Sequence, residues 1–118
     1  MLKSVLFAGL LLISSSAFAV DIGGAYDVLG KNADGSEYKG TAKITLTSES
    51  TCRIEWKTGG STSLGICMRN DDSFAAGYVL GGKVGLIIYK INDDGSLVGL
   101  WTIADQEGVG AEVLTPAK

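Results

Sequence analysis

The sequence predicts an all-β protein, an eight-stranded antiparallel up-and-down barrel with one disulfide. Three observations lead to this fold class. Short β-rich runs alternate with glycine-rich or acidic turns, no stretch carries a helical stripe with caps, and every connection is short enough for a hairpin. A meander of eight strands exposes two edges unless it closes, and closure into a barrel removes both edges.

The eight predicted strands are the β-rich runs that these turns separate. They cover residues 24–29, 38–47, 51–57, 62–68, 74–80, 83–91, 97–103 and 109–114. A barrel of eight strands has an interior just wide enough to be filled by side chains or to hold one small ligand. The fold class therefore leaves both a filled and a hollow interior open.

Residues 1–19 have the three parts of a secretory signal peptide. Lys3 supplies the basic start, residues 5–13 form the apolar run, and Ala17-Phe18-Ala19 predicts cleavage after Ala19. The apolar run is much shorter than the roughly 20 residues that span a bilayer. We therefore expect a secreted or periplasmic protein that does not span the membrane, with one barrel domain over residues 20–118.

Composition argues against several functional classes. The 118 residues carry 13 acidic and 10 basic side chains and no histidine, with a formal net charge of −3. An acidic chain without a basic cluster is repelled by phosphate backbones, so we expect no nucleic-acid partner. Without histidine, Ser-His and Cys-His nucleophiles, histidine-ligated zinc and histidine-ligated haem are all unavailable. We predict no catalytic residues, no enzymatic activity and no cofactor.

The carboxylate pairs Asp71-Asp72 and Asp93-Asp94 are the only arrangement that suggests hydrolysis. A glycosidase needs two carboxylates at a set separation across a substrate. Adjacent acids in polar turns are far more often solvated charges. We therefore favour solvated turns over a hydrolase site.

Cys52 and Cys67 are predicted to form a disulfide, as a cysteine pair in an exported small domain usually does. The Gly59-Gly60 dipeptide between them is a strong two-residue hairpin turn. In such a hairpin, each residue faces the one that lies equally far from the turn on the other strand. Cys52 lies seven residues before Gly59 and Cys67 lies seven residues after Gly60, so the two cysteines face each other. Facing residues are close enough to be bridged, so a structural bond is favoured over a redox-active pair.

Two related acidic loops, NADGS at 32–36 and NDDGS at 92–96, raise the question of a calcium site. An EF-hand loop needs an acidic first ligand five residues before its glycine, and a glutamate six residues after it. Gly30 and Lys90 occupy the first-ligand positions, and the later glutamate is absent from both loops. Asp-Gly is a preferred hairpin dipeptide, so we predict two turns and no metal site.

Aromatic side chains are the best candidates for recognition, because rings give a large rigid contact area with a polar handle. The candidate binding residues are Trp56, Tyr78, Tyr89 and Trp101. The alternative, favoured for each ring taken singly, is that it fills the core. For example, Tyr78 is expected to face Gly85, an arrangement in which an aromatic ring covers a strand glycine.

An apolar patch is predicted on the outside of the barrel. Residues 84–89 are apolar on both faces of their strand, whereas a strand with one wet face should alternate. The cysteine register also places Leu64 and Ile66 opposite the charged Glu55 and Arg53. Either a bulge or an apolar outer surface explains this placement. We expect an outer patch that serves self-association or partner binding.

Several stretches resemble a family of small secreted proteobacterial proteins that commonly carry the label of fibronectin-binding protein. The elements that carry this resemblance are Asp34-Gly35, Gly77-Tyr78, Asp94-Gly95-Ser96 and Gly99-x-Trp101, within a likeness over almost all of residues 20–118. The resemblance implies a secreted binding protein and assigns no binding residues. The predicted architecture is also similar to avidin-like and lipocalin-like barrels, the small calycin-like class.

Two functions follow from these observations. The leading expectation is an exported non-enzymatic binding protein whose apolar and aromatic surface contacts a host or envelope macromolecule, with homo-oligomers as a further possibility. The alternative is a barrel that carries a small apolar ligand inside. A carrier needs a cavity of about 300 Å³ or more, so an empty lined cavity would favour the alternative.

Overall fold

The computed structural model describes residues 20–118, which fold into eight antiparallel strands. The predicted signal peptide, residues 1–19, lies outside the described residues. The strands are β1 (Gly24–Lys31), β2 (Glu37–Leu46), β3 (Thr51–Thr58), β4 (Ser61–Asn70), β5 (Ser73–Leu80), β6 (Lys83–Ile91), β7 (Leu97–Ile103) and β8 (Gly110–Pro116).

The sheet closes because the first and last strands pair with each other. Each strand pairs with its neighbour in sequence, and Val28 of β1 faces both Gly40 of β2 and Leu114 of β8. Closure leaves no unpaired strand edge that could recruit another chain. The predicted closed eight-stranded meander is confirmed.

Every predicted strand is present, and its ends lie within two residues of the prediction. The differences arise where polar residues next to a turn still have a partner across the sheet. Lys31, for example, extends β1 because it faces Glu37 on one side and Ala111 on the other. Strand ends therefore depend on neighbouring strands as well as on local composition.

Tight hairpins with two glycines join β3 to β4 and β5 to β6. The φ angles of Gly59 and Gly60 are 57° and 82°, the left-handed region that this hairpin turn requires at both positions. Glycine reaches this region without a steric penalty. The turn fixes the β3–β4 register without a bulge.

The two acidic loops are hairpin turns that their own serines complete. Asp34 Oδ1 accepts hydrogen bonds from the backbone N–H of Ser36 at 2.9 Å and from its hydroxyl at 2.6 Å. Asp94 and Ser96 repeat both distances. These hydrogen bonds lower the pKa of the Asp34 and Asp94 carboxyls. The carboxylate oxygens thus stabilise the turns, as the Asp-Gly pattern predicts.

The predicted disulfide is confirmed. Cys52 and Cys67 face each other across β3 and β4 with their Cα atoms 4.9 Å apart, and they form a bond with a sequence separation of 15. Both side chains are buried inside the barrel. The bridge therefore pins one hairpin from within.

One end of the barrel is filled and covered. We call this the closed end. The stacked rings of Phe74 and Tyr89, with centroids 5.1 Å apart, lie in a core with Ile44 and other aliphatic side chains. Ile22, which precedes β1, belongs to this core, and Val20 packs against it. The hydroxyl of Tyr26 donates to the Ile22 carbonyl at 2.6 Å.

In the described part of the chain, no helix is long and apolar enough to cross a membrane.

Replacing both Cys52 and Cys67 by alanine should lower the free energy of unfolding by about 3 kcal/mol, because the bridge restricts the unfolded chain. In a domain of this size that corresponds to a fall in Tm of about 12–24 °C. Thermal unfolding followed by circular dichroism measures it. Alanine is preferred to serine because both positions are buried.

The unmodified protein with its disulfide chemically reduced is the matched control, and its Tm should fall by a similar amount. A double variant that melts at the same temperature as the unmodified protein would show that the bridge contributes nothing to stability.

Candidate functional site

The end of the barrel opposite the closed end is hollow. We call it the open end. A cavity of about 280 Å³ lies there, among side chains from the inner faces of the strands and from the hairpins that join them. Its lining residues are Asn32, Tyr38, Trp56, Thr58, Gly59, Ser61, Ser63, Tyr78, Leu80, Ile87, Trp101 and Glu112.

Glu112 places a carboxylate inside the barrel. The residue is 5% exposed and lies on β8, where the alternation of the strand points it inward with Gly110 and Leu114. Burying a charge is costly unless hydrogen bonds or a counter-charge replace the lost water. The surroundings of this carboxylate therefore decide whether the site is stable.

Three donors from three strands converge on the Glu112 carboxylate. Tyr38 O–H donates to Oε1 at 2.7 Å, while Tyr89 O–H and Trp56 Nε1–H donate to Oε2 at 2.5 and 2.9 Å. The Trp56 N–H also reaches the Tyr89 hydroxyl oxygen at 3.2 Å. Hydrogen bonds to a charged acceptor are about twice as strong as neutral ones, so this cluster stabilises the buried negative charge.

Burial and the charge of Glu112 raise the pKa of the surrounding tyrosines. Burial is the larger cause and the nearby carboxylate the second. Together they raise the pKa of Tyr78 to about 12, and they also raise the pKa values of Tyr38 and Tyr89. These phenols keep their protons and remain available as donors.

Aromatic rings of the site lie against glycines of the neighbouring strand. A Cβ atom on Gly85 would lie 2.2 Å from Tyr78 Cζ, and one on Gly110 would lie 2.1 Å from Trp101 Cε2. Any larger residue would displace these rings. The predicted contact between Tyr78 and Gly85 is thus present. Tyr89 covers Gly99 and Tyr38 covers Gly30 in the same way.

The rings that border the cavity form two edge-to-face pairs. Trp56 and Tyr78 have centroids 5.3 Å apart at an angle of 62°, and Tyr38 and Trp101 have centroids 6.3 Å apart at 65°. Such pairs are favourable beyond their buried area. In each pair the two ring planes are strongly inclined, so the edge of one ring points toward the other.

One buried polar atom at the cavity, in the part of the chain that the structure describes, has no hydrogen-bond partner. The Nε1 atom of Trp101 is buried without a hydrogen-bond acceptor, which costs free energy. Ser63 is also buried and faces Trp56 across β3 and β4. By contrast, the Tyr78 hydroxyl donates to the Thr102 carbonyl at 3.1 Å.

The structure brings three of the four predicted binding residues to one cavity. Trp56, Tyr78 and Trp101 line it, whereas Tyr89 lies beneath it and supports Glu112. Sequence reasoning did not select Glu112, although the one acid at an inward position of β8 was a possible signal. Trp56, Tyr78 and Tyr89 belong to the buried core and Trp101 packs against it, so these rings are core residues, three of which also border the cavity.

The predicted outer patch is present on β4 to β7. Leu64 and Ile66 face Glu55 and Arg53 in a regular register, so an apolar surface, and not a bulge, explains their placement. We define the outer apolar face as eight large side chains with exposed fractions of 51–70%. They are Leu64, Ile66, Met68, Val79, Val84, Leu86, Ile88 and Leu100.

The two acidic pairs considered for hydrolysis lie in turns and are not part of the cavity. Asp71 and Asp72 form the exposed turn between β4 and β5, and Asp93 and Asp94 lie in the turn between β6 and β7. None of them lines the cavity at the open end. Their position matches the solvated turns expected from the sequence.

The barrel is similar to several solved structures. A redesigned β-barrel, mFAP1 bound to DFHBI, matches with a TM-score of 0.68 and 17% identity over 78% of this chain and 93% of that chain. Another redesigned barrel matches with a TM-score of 0.73 and 15% identity over 87% and 100%. A variant of the fluorescent protein UnaG matches with a TM-score of 0.53 and 13% identity over 81% and 96%.

No family model and no curated protein matches the sequence. At identities below one fifth, the structural likeness identifies the fold alone, a closed antiparallel barrel.

Proposed function

We propose that this protein binds a small molecule in the cavity at the open end of the barrel. The observation that carries the proposal is a lined space of about 280 Å³ with a hydrogen-bonded carboxylate and aromatic walls. Ligand sites combine apolar and aromatic walls with a few placed polar groups, and their volumes start near 300 Å³. At about 280 Å³ the cavity lies just below that range, so its ligand is expected to be smaller than a typical drug-sized molecule.

The interior is a better site for a small ligand than the outside of the barrel. A groove of about 670 Å³ runs over Ala75 and Gly77 of β5, between Ile66 on one side and Leu86 on the other. It is larger than the cavity, but it lies on the outer surface and is mostly apolar. The cavity alone contains a buried charge that could orient a ligand.

The similar barrels support the proposal. The redesigned barrel mFAP1 is bound to DFHBI, so a barrel of this fold is compatible with a bound small molecule. The expectation of a carrier for a purely apolar ligand needs one change, because Glu112 and Ser63 give the cavity polar groups. We propose a ligand with an apolar body and at least one polar group.

Filling the cavity should abolish binding. In Ser63→Leu, the larger side chain at a buried inward position occupies part of the cavity. The probes are phenol, benzylamine and benzoate, which are small aromatic molecules of different charge. We expect at least one of them to shift the indole N–H signals of Trp56 and Trp101 saturably in NMR titrations, and expect Ser63→Leu to lose this response.

Thr62→Leu is the matched control, because Thr62 is the preceding residue on β4 and points outward. It should bind as the unmodified protein does. If no probe shifts the indole signals of the unmodified protein, or if both leucine variants bind equally well, the cavity is not the ligand site.

A second function, the protein contact that the sequence favoured, is supported by the outer apolar face. We propose that its partner is a second copy of this chain. Eight large side chains, each with roughly 100 Å² exposed, offer on the order of 800 Å², the area that one partner buries in a standard interface. Ile66 and Leu86 form ridges beside the small Ala75 and Gly77, so a copy related by a twofold axis could interdigitate.

The dimer should dissociate when the outer apolar face is charged. Sedimentation velocity over a concentration series should show a dimer for the unmodified protein and a monomer for Ile66→Lys with Leu86→Lys. The matched control is Thr41→Lys with Thr45→Lys, at exposed outward positions of β2. A monomeric unmodified protein, or equal dissociation in both variants, would contradict the dimer.

Contact with a host or envelope macromolecule, export from the cytoplasm and the absence of enzymatic activity remain predictions from the sequence. A buried disulfide is compatible with an oxidising compartment.

A further inference from the structure

The cavity contains a negative charge without a positive partner. Glu112 is the one charged residue among the lining residues described at the open end, and none of them is a lysine or an arginine. Within residues 20–118, the ion pair is Lys83 with Asp105, which does not involve Glu112. The three donors to the Glu112 carboxylate are all uncharged groups.

The carboxylate can accept another hydrogen bond. Each carboxylate oxygen has two lone pairs. Oε2 accepts from both Tyr89 and Trp56, whereas Oε1 accepts from Tyr38 alone. One acceptor site therefore remains on Oε1, the oxygen that Tyr38 contacts from the cavity wall.

The walls of the cavity also favour positive charge. Trp56, Tyr78, Tyr38 and Trp101 surround it in two edge-to-face pairs. The face of an aromatic ring is the negative end of its quadrupole, and cages of such rings recognise ammonium groups. An anion would be repelled by the charge of the buried Glu112 carboxylate, because like charges repel more strongly next to a buried group than in bulk water.

We propose that the ligand is a small organic cation, an ammonium group with apolar substituents held between the aromatic rings and the Glu112 carboxylate. This inference rests on the proposed binding function of the cavity. It makes Glu112 the residue that selects the charge of the ligand. The rings select its apolar substituents.

Two probes of the same shape test the charge preference. Choline and 3,3-dimethylbutan-1-ol differ in one atom, a quaternary nitrogen in place of a carbon. The unmodified protein should bind choline at least about tenfold more tightly, because a desolvated cation–π contact and an ion pair each favour the cation. NMR titrations that follow the Trp56 and Trp101 indole signals give both affinities. Equal affinities, or tighter binding of the alcohol, would overturn the proposal.

Glu112→Gln tests which residue selects the charge. It should weaken choline binding by about tenfold or more and weaken binding of the neutral alcohol by a smaller factor. Glu107→Gln is the matched control, since it removes one exposed negative charge from the connection between β7 and β8 and should leave both affinities unchanged. If Glu112→Gln does not fold, the comparison of the two probes on the unmodified protein still decides the proposal.

The outcomes separate the two proposals. If phenol or benzoate binds in the cavity while choline binds no better than its neutral isostere, the cavity is a ligand site and the cation preference is wrong. If neither the aromatic probes nor choline nor 3,3-dimethylbutan-1-ol binds, both the proposed binding function and the cation preference are wrong.

Discussion

The buried carboxylate of Glu112 imposes the main constraint on the inside of this barrel. Glu112 is 5% exposed, so hydrogen bonds from the protein must replace the water that its carboxylate loses on burial. Tyr38, Trp56 and Tyr89 supply that compensation from β2, β3 and β6. Strands far apart in sequence are thus tied to one point on β8. Because the Glu112 carboxylate needs these donors, aromatic side chains with polar groups occupy a part of the barrel interior that aliphatic side chains would otherwise fill.

The two ends of the barrel differ in how their interiors are packed. At the closed end, Phe74 and Tyr89 stack, Ile22 belongs to the core and Val20 packs against it. The disulfide pins the hairpin of β3 and β4 from the inside. The open end is joined by hairpins and contains the cavity. A rigid scaffold beneath a hollow end is the arrangement that allows a small protein to hold a ligand without losing its core.

Local rules in the sequence predict much of the fold and part of the site. The cysteine pairing follows from the symmetry of a two-glycine turn, and the contact of Tyr78 with Gly85 follows from the next such hairpin. The exposed positions of Leu64 and Ile66 follow from the register of β3 and β4 that also pairs the cysteines. Each of these features depends on residues within one hairpin, where the turn fixes which residues face each other.

The Glu112 cluster could not be derived in this way. Its inward position depends on how β8 pairs with β1 and β7, and the pairing of β8 with β1 closes the barrel between the two ends of the chain. Its donors lie 23 to 74 residues away in sequence. The cavity has the same origin, because its volume depends on how rings from several strands pack around one acid. The inward acid on β8 is a local signal, but neither its donors nor the cavity has a local signature in the sequence.

The most direct test of a carboxylate inside the barrel is the ionisation of the tyrosines in the folded protein. Burial raises the pKa of all four above the usual 10.0, and the Glu112 charge adds to the rise at Tyr38, Tyr78 and Tyr89. Because these pKa values are higher in the folded protein than in the unfolded chain, the contribution of the protonated tyrosines to the free energy of unfolding is complete below pH 10. It is lost as the pH rises through the folded-state values, of which that of Tyr78 is about 12.

A titration of tyrosinate absorbance, with circular dichroism recorded on the same samples, makes this measurement. We expect little tyrosinate at pH 10, and expect it to form at higher pH together with loss of the β-sheet signal. A folded protein whose tyrosines ionise with midpoints near pH 10 would contradict a buried, tyrosine-bound carboxylate at the centre of this structure.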